Sequence, residues 1–158
     1  MEFVLLSVFA ALIVAADQIT KYLTVLYIPL YGSVPVWPGV VGLTYVRNTG
    51  AAFSLFEGQQ WLFIALFAVL TVGIWYFYFK KPLGLTRFEW GCVAAIYGGG
   101  LANMVDRIRL GYVVDMIRTE FIDFPVFNLA DSFITCGCIL LVAHMLLCNR
   151  AFWKGGEA

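Results

Sequence analysis

The sequence predicts an α-helical integral membrane protein, with four transmembrane helices and a small β-sheet element. Hydrophobic residues make up 62% of the 158 residues and charged residues 13%, whereas a soluble domain is about half apolar and about a quarter charged. The apolar residues are gathered in runs long enough to cross a bilayer. Between the first two runs lies a segment rich in β-branched and aromatic residues, which is typical of short strands. We interpret residues 1–158 as a single membrane-embedded domain.

Four spans are predicted, at about residues 3–26, 61–79, 88–107 and 129–148. The second is the clearest, because it contains no formally charged residue and has aromatic residues at both ends. The first and third are interrupted by polar residues toward their ends. The N-terminal run carries Glu2 and has no Lys or Arg before it, so we expect a retained span and not a cleavable signal peptide.

Residues 29–60 do not have the composition of a plain linker. Val40 to Val46 is rich in β-branched and aromatic residues, with Pro38 and Gly42 as breaks in the pattern. We therefore expect a short sheet lying on the membrane surface. The stretch from Arg118 to Phe127 could add a strand to this sheet.

The unusual polar residues of the predicted spans share one face of the membrane. Four spans place both termini on one side, and the polar residues fall on the opposite side: Asp17, Lys21, Asn103, Asp106, Arg107, Asp115, Asn128 and Asp131. The 10 Lys and Arg residues divide equally between the two faces, so the positive-inside rule leaves the orientation open. The compact loop "KKPLGLTR" favours termini in the cytoplasm.

Asp115 and Asp131 are the candidate catalytic pair. Two carboxylates held close cannot both ionise cheaply, so one pKa rises and the pair shares a proton. One member can then deprotonate a water while the other donates a hydrogen bond to a substrate carbonyl. The alternative is that each aspartate only caps a helix. Capping explains Asp131, at the start of the fourth span, better than Asp115, which lies between apolar pairs.

Two other polar groups have helical spacing. Asp17 and Lys21 are four residues apart and can pair on one helix face, which makes both charges tolerable near the membrane edge. We interpret this pair as structural support. Asn103, Asp106 and Arg107 also share a face, where the guanidinium could orient a carboxylate, hold a lipid headgroup or bind a peptide carbonyl.

Three further features favour structural roles. Asn48 lies in "RNTGAAF", a turn-like segment in which Asn and Gly supply unusual backbone angles. The glycine run 98–100 lies within a span and lacks the strand–loop–helix context of a phosphate loop, so we expect it to serve close helix packing. His144 follows Asp131 by thirteen residues, about 20 Å along a helix. It is predicted to be a packing or helix-end residue.

Metal and nucleic-acid binding are not expected. The four cysteines and the single histidine lack the spacing of zinc ligands. The formal net charge is +0, so no basic face is available for nucleic acid. We expect neither a metal nor another cofactor.

Five motifs stand in order along the chain. They are "DQITKY" from Asp17, "RNTGAAFS" from Arg47, "GGGLANMVDR" from Gly98, "GYVVDMI" from Gly111 and "FNLADS" from Phe127. Together they resemble the lipoprotein signal peptidase family, the bacterial signal peptidase II, over about residues 10–145. One departure is visible, because the family usually reads "GGALGN" where this chain has "GGGLAN". Gly100 and Ala102 are both small, so the helix contact is expected to survive.

The resemblance implies a membrane aspartyl endopeptidase. It would remove the signal peptide from diacylglyceryl-modified prolipoproteins by cleaving on the N-terminal side of the lipidated cysteine. The resemblance assigns catalysis to Asp115 and Asp131. Positions that bind substrate or support the active site would be Asp17, Lys21, Asn48, Gly50, Asn103, Asp106, Arg107 and Asn128.

The resemblance also implies a location and a set of partners. The chain would be a multi-pass protein of the bacterial cytoplasmic (inner) membrane, with both termini in the cytoplasm. The active site would lie near the outer face, and residues 29–60 would be extracytoplasmic. The expected partners are the diacylglyceryl prolipoprotein substrate and membrane lipids, with no nucleic acid, and a monomer is expected.

Two other classes of protein compete with this interpretation. A small proton or ion transporter also carries carboxylates within the membrane, but a relay needs them throughout the membrane depth. Here the cytoplasmic halves of the spans lack acidic residues, apart from Glu2 and Glu89 near the ends. A scaffold without chemistry would not need the pair of Asp115 and Asp131.

Overall fold

A computed structural model describes residues 1–50, 55–80 and 84–149. The described residues form four helices and three strands. In chain order these are α1 (Glu2–Tyr27), β1 (Ser33–Trp37), β2 (Val41–Asn48), α2 (Gln60–Lys80), α3 (Arg87–Leu110), β3 (Val113–Thr119) and α4 (Leu129–Leu147). Part of the "RNTGAAFS" motif and of the "KKPLGLTR" loop lies outside the described residues.

Three of these helices, α1, α2 and α4, are long and apolar enough to cross a membrane. The α3 helix has 24 residues, about 36 Å at 1.5 Å per residue, but it is more polar. Its polar side chains near the C-terminal end, Asn103, Asp106 and Arg107, are buried. The composition of α3 is therefore that of a helix facing the interior of the protein and not of one facing lipid.

The α3 helix occupies the centre of the bundle, because α1, α2 and α4 all pack against it. Its glycine run allows the close approach. Successive helical residues point about 100° apart, and a Cβ atom built on each glycine would meet a different helix. At Gly98 it would lie 3.0 Å from Ala10 Cα of α1, at Gly99 2.5 Å from Ala130 O of α4, and at Gly100 2.7 Å from Phe67 Cε2 of α2. The expected packing role of this run is confirmed.

The sheet is antiparallel with the order β1–β2–β3, and its first two strands confirm the prediction for residues 29–60. A hydrophobic cluster joins strands β2 and β3 to the end of α1, and it contains Ile28, Tyr45, Val114 and Met116. The segment 118–127, which could have added a strand, contributes only its first two residues, Arg118 and Thr119, to the third strand. The third strand, Val113–Thr119, is the segment that contains Asp115, and Phe127 contributes only an isolated bridge to Ile117.

A sharp reversal delivers the third strand to the end of α3. Gly111 has a left-handed φ of 77° and donates its N–H to the Arg107 carbonyl at 3.1 Å. Glycine takes this conformation without the steric cost that a Cβ atom imposes. As a result, β3 begins two residues later beside the polar end of α3.

A second polar cluster lies at the opposite end of α3. Glu89 is fully buried, completes a capping box with Thr86, and accepts hydrogen bonds from His144 Nδ1 at 3.0 Å and Asn149 Nδ2 at 2.7 Å. This contact joins the start of α3 to the end of α4. The helix-end role predicted for His144 is confirmed.

Candidate active site

Asp115 lies in the middle of β3 with its carboxylate directed away from the apolar cluster. Its neighbours Val114 and Met116 belong to that cluster, and alternate residues of a strand point to opposite faces. Asp115 is only 2% exposed. Its Oδ2 accepts a hydrogen bond from Asn48 Nδ2 at 2.9 Å, and its Oδ1 accepts one from Asn128 Nδ2 at 2.7 Å.

Asp131 lies in the first turn of α4 and is half-buried. Its Oδ2 accepts the backbone N–H of Asn128 at 3.1 Å, and Asn128 Oδ1 accepts the Asp131 N–H at 2.9 Å. This reciprocal pair is a capping box. The second oxygen, Oδ1, accepts a hydrogen bond from Asn103 Nδ2 at 2.8 Å. Helix capping, the alternative considered for this residue, therefore uses only one carboxylate oxygen and leaves the other directed into the site.

Asn128 joins the two aspartates. Its side-chain amide donates to Asp115, and its backbone N–H donates to Asp131. The residue is fully buried, which fixes these bonds in a dry environment. Two carboxylates that are sixteen residues apart in sequence are thus bonded to the same residue.

The environment raises the pKa of Asp115 to about 7. Loss of hydration through burial is the largest cause, and the negative charge of Asp131 adds to it. Hydrogen bonds from Asn48 and Asn128 to the ionised form oppose the shift. Asp115 can therefore hold a proton near neutral pH.

Lys21 anchors the polar end of the bundle. Its ammonium group lies 2.8 Å from Asp17 Oδ2, 2.9 Å from Asp106 Oδ2 and 2.8 Å from Asn103 Oδ1. Asp17 in turn accepts the Ala130 N–H of α4 at 2.9 Å. Three acceptors match the three N–H donors of a lysine. This network ties α1, α3 and α4 together directly behind the aspartates.

Asp106 extends the same network to the sheet. It accepts the backbone N–H of Val114 at 3.1 Å and the side-chain amide of Gln18 at 2.8 Å. Sequence reasoning did not select Gln18 as a site residue. The available signal was an amide next to Asp17 inside an otherwise apolar helix.

Arg107 stands at the edge of the site. Its Nη2 donates to the Gly50 carbonyl at 2.9 Å, and its guanidinium lies 4.5 Å from the centre of the Phe63 ring. The sequence suggested a carboxylate, a lipid headgroup or a peptide carbonyl as the partner of this guanidinium. In the structure the guanidinium binds a peptide carbonyl of its own chain. Gly50 also donates its N–H to Asn48 Oδ1 at 2.9 Å, which orients the amide that contacts Asp115.

A cavity of about 680 Å³ opens onto both aspartates. Its polar wall includes Asn48, Asn103 and Arg107. Its remaining walls are mostly apolar and come from α2, α3, the start of β3, the segment before α4 and α4 itself: Phe63, Leu66, Phe67, Leu70, Gly100, Met104, Val113, Phe124, Pro125, Val126, Phe127 and Ile134. The apolar positions on α2 gave no functional signal in sequence, because they resemble any lipid-facing residues.

The structure therefore gathers the sequence-predicted site residues around one cavity and its supporting network. Among the described residues, no group of three or more His, Cys, Asp and Glu side chains is arranged to hold a metal ion. The acidic side chains near the cavity are instead bonded to amides, backbone N–H groups and Lys21.

Comparison with known proteins identifies the family. The family model described as signal peptidase (SPase) II matches residues 9–147. The lipoprotein signal peptidase of Streptococcus pyogenes serotype M6 is 44% identical over 131 residues, which cover 83% of this chain and 86% of that protein. The serotype M5 protein matches with the same identity and coverage.

Two solved structures have the same fold. The structure of a bacterial membrane enzyme, determined by the in meso method at 2.3 Å resolution, gives a TM-score of 0.82 at 30% identity. The match covers 96% of this chain and 91% of the chain of that enzyme. A second, at 1.9 Å resolution, gives a TM-score of 0.79 at 32% identity, covering 90% and 92%. The chain therefore belongs to the signal peptidase II family and is a bacterial membrane protease.

Proposed function

We propose that this protein is an aspartic endopeptidase that removes the signal peptide from diacylglyceryl-modified prolipoproteins, cleaving on the N-terminal side of the lipidated cysteine. The observation that carries the aspartic mechanism is that Asn128 bonds to the carboxylates of both Asp115 and Asp131 beside one cavity. The family membership and the relatives named lipoprotein signal peptidase support the substrate class.

The two aspartates take different roles because their surroundings differ. Asp115 is the more buried, and its raised pKa favours the protonated form near neutral pH. It donates that proton to the substrate carbonyl oxygen. Asp131 is half-buried, lies beside the cavity and acts as the base for the attacking water.

The proposed reaction adds one water across the peptide bond. The water oxygen attacks the carbonyl carbon, its proton passes to Asp131, and the proton of Asp115 passes to the carbonyl oxygen. The resulting diol collapses as Asp115 takes back a hydroxyl proton and Asp131 protonates the leaving nitrogen. The C–N bond breaks and both aspartates return to their starting states. Asn48, Asn103 and Asn128 position the carboxylates throughout.

The proposed membrane topology has four spans, with both termini in the cytoplasm and the active site near the outer face. The length of α3 and the burial of its polar side chains support its assignment as one of these four spans, the third in chain order. A charged or amide side chain within a membrane is tolerated where it faces the protein interior and is paired. The β-strands and the polar ends of the helices then share the outer face.

Replacement of either aspartate by asparagine tests the mechanism. We expect Asp115→Asn and Asp131→Asn each to lower kcat by about 100- to 10,000-fold, the usual contribution of a general acid or base. The assay follows cleavage of a purified precursor that carries the diacylglyceryl group, with the unlipidated precursor measured in parallel. Thermal unfolding in detergent verifies that each variant is folded.

Asp123→Asn provides the matched control, because Asp123 is exposed in the segment between β3 and α4. Its activity should equal that of the parent protein. Near-normal turnover by both Asp115→Asn and Asp131→Asn would refute the aspartic mechanism. Equal cleavage of lipidated and unlipidated precursors would refute the proposed substrate class.

A further inference from the structure

The cavity continues past the aspartates into an apolar arm. The arm is formed by Phe67 and Leu70 of α2, Gly100 and Met104 of α3, and Ile134 of α4. Gly100 lies three residues before Asn103 on α3, which places it about 4.5 Å closer to the middle of that helix. On α2, the lining extends from Phe63, which contacts Arg107, to Leu70, about 10 Å farther along that helix. The arm therefore runs from the level of the site toward the middle of the spans.

The chemistry of the arm suits a hydrocarbon chain. A peptide lying there would leave backbone N–H and C=O groups without partners against apolar side chains, which is costly. An acyl chain has no such groups. The lining residues Leu66 and Leu70 of α2 and Thr135 of α4 are exposed on the surface of the described structure. A chain can thus enter sideways from the bilayer while its polar end remains at the aspartates.

Gly100 controls the position of one wall of this arm. A Cβ atom at this residue would lie 2.7 Å from Cε2 and 3.2 Å from Cδ2 of Phe67, so the ring would have to move. At Gly98 and Gly99, by contrast, the nearest atoms are backbone atoms of α1 and α4. The Phe67 ring also stacks on Tyr97, which lies three residues before Gly100 on α3, with ring centres 5.3 Å apart. Of the three glycines, only Gly100 therefore faces a movable ring that lines the cavity.

We propose that the contact between Gly100 and Phe67 sets the width of the apolar arm and makes Gly100 a specificity-determining residue for the acyl chains of the substrate. The absence of a side chain at residue 100 lets the Phe67 ring lie against α3 and leaves the arm wide. This inference rests on the proposed function, because it assumes a lipidated substrate. It goes further by assigning acyl-chain selection to one contact between two helices.

Precursors that differ only in their acyl chains test this assignment. The set contains straight saturated chains and chains of the same length with a kink from a cis double bond. In Gly100→Ala, the added methyl group and the displaced ring narrow the arm. The ratio of kcat/KM for the kinked chain to that for the straight chain should fall about tenfold or more, the effect of a misfit the size of a methylene group.

Three further variants complete the experiment. Gly100→Ala combined with Phe67→Leu should restore the parent ratio, because the smaller side chain makes room for the methyl group. Phe67→Leu alone widens the arm and should raise the ratio of kcat/KM for the kinked chain to that for the straight chain. This variant keeps the test decisive if Gly100→Ala does not fold. Gly73→Ala on α2 is the matched control and should keep the parent ratio, because in the described part of the chain no atom beyond its chain neighbours and its own helix backbone lies within 4 Å of its Cβ position.

The outcomes separate this inference from the proposed function. If the parent protein cleaves lipidated precursors but neither Gly100→Ala nor Phe67→Leu changes the chain ratio, the inference is wrong and the proposed function stands. The inference is also wrong if the variants alter the preference for peptide side chains at the cleavage site among precursors that carry the same acyl chain. Failure of the parent protein to cleave any lipidated precursor overturns both.

Discussion

Asn128 both caps a helix and bonds to the two candidate catalytic aspartates. As the N-cap of α4 it accepts the Asp131 N–H, and asparagine is among the residues preferred at that position. Its amide nitrogen at the same time donates to Asp115 at 2.7 Å and to Asn103 Oδ1 at 3.1 Å. The residue that starts the helix therefore also fixes the separation of the two carboxylates.

The pKa of Asp115, raised to about 7, predicts how activity depends on pH. The proposed mechanism needs the protonated form, so kcat/KM should fall as the pH rises above about 7. The hydrogen bond from Asn48 lowers this pKa because it stabilises the ionised form. Asn48→Leu, which is similar in volume but has no donor, should raise the pKa and move the alkaline limb of the kcat/KM profile to higher pH.

The matched control for this measurement is Asn149→Leu, which removes a buried amide near Glu89 at the other end of the bundle. It should lower thermal stability and leave the alkaline limb in place. An alkaline limb that stays fixed or moves to lower pH in Asn48→Leu would contradict the assignment of Asp115 as the proton donor.

At the scale of elements, α3 determines the geometry of the site. It carries Asn103 and Asp106 on one side and packs closely against α4 at Gly99. Asn103 lies four residues, or about one turn, beyond Gly99 and reaches Asp131 in the first turn of α4. Any change that separates α3 from α4 must therefore lengthen the contact between Asn103 and Asp131.

Gly99→Ala should produce this separation. The added Cβ atom would lie 2.5 Å from the Ala130 carbonyl oxygen, a backbone atom that cannot turn aside. We expect a loss of stability of about 1–3 kcal/mol, the usual cost of overpacking, together with a lower kcat. Thermal unfolding in detergent and turnover measure the two effects. Gly91→Ala on the same helix serves as the control, because its Cβ position meets no other side chain or neighbouring helix among the described residues. A Gly99→Ala protein as stable and active as Gly91→Ala would show that the close approach is unimportant.

At the scale of the whole molecule, the proposed four-span topology places the two ends of α3 on opposite sides of the membrane. Arg87 is the first residue of α3, Asp123 follows β3 beyond the other end of this helix, and both are exposed. In a variant without native cysteines, we expect Asp123→Cys to react with a membrane-impermeant maleimide in intact cells. Arg87→Cys should react only after the cells are permeabilised. Labelling of both cysteines in intact cells would show that α3 does not cross the membrane.

The bundle and the sheet were predictable from sequence to different degrees. The apolar run of α2 and the pairing of Asp17 with Lys21 follow from local rules of length and helical spacing. A third strand was expected only within residues 118–127, whereas the observed strand begins at Val113, because "GYVVDMI" was interpreted only as an apolar run. Strand pairing depends on a partner distant in sequence, here β2, in which Val46 is the register partner of Asp115.

The sequence by itself determined the membrane class, the approximate bounds of the helices and the choice of candidate polar residues, because these depend on composition, spacing and ordered motifs. Only the tertiary structure decided that Asn128 bonds to both aspartates, that Arg107 holds the Gly50 carbonyl, and that the three glycines of α3 face three different helices. The physical reason is the separation in sequence between the residues that interact. Local spacing specifies which residues share a helix face, whereas the partner across that face depends on how the helices pack.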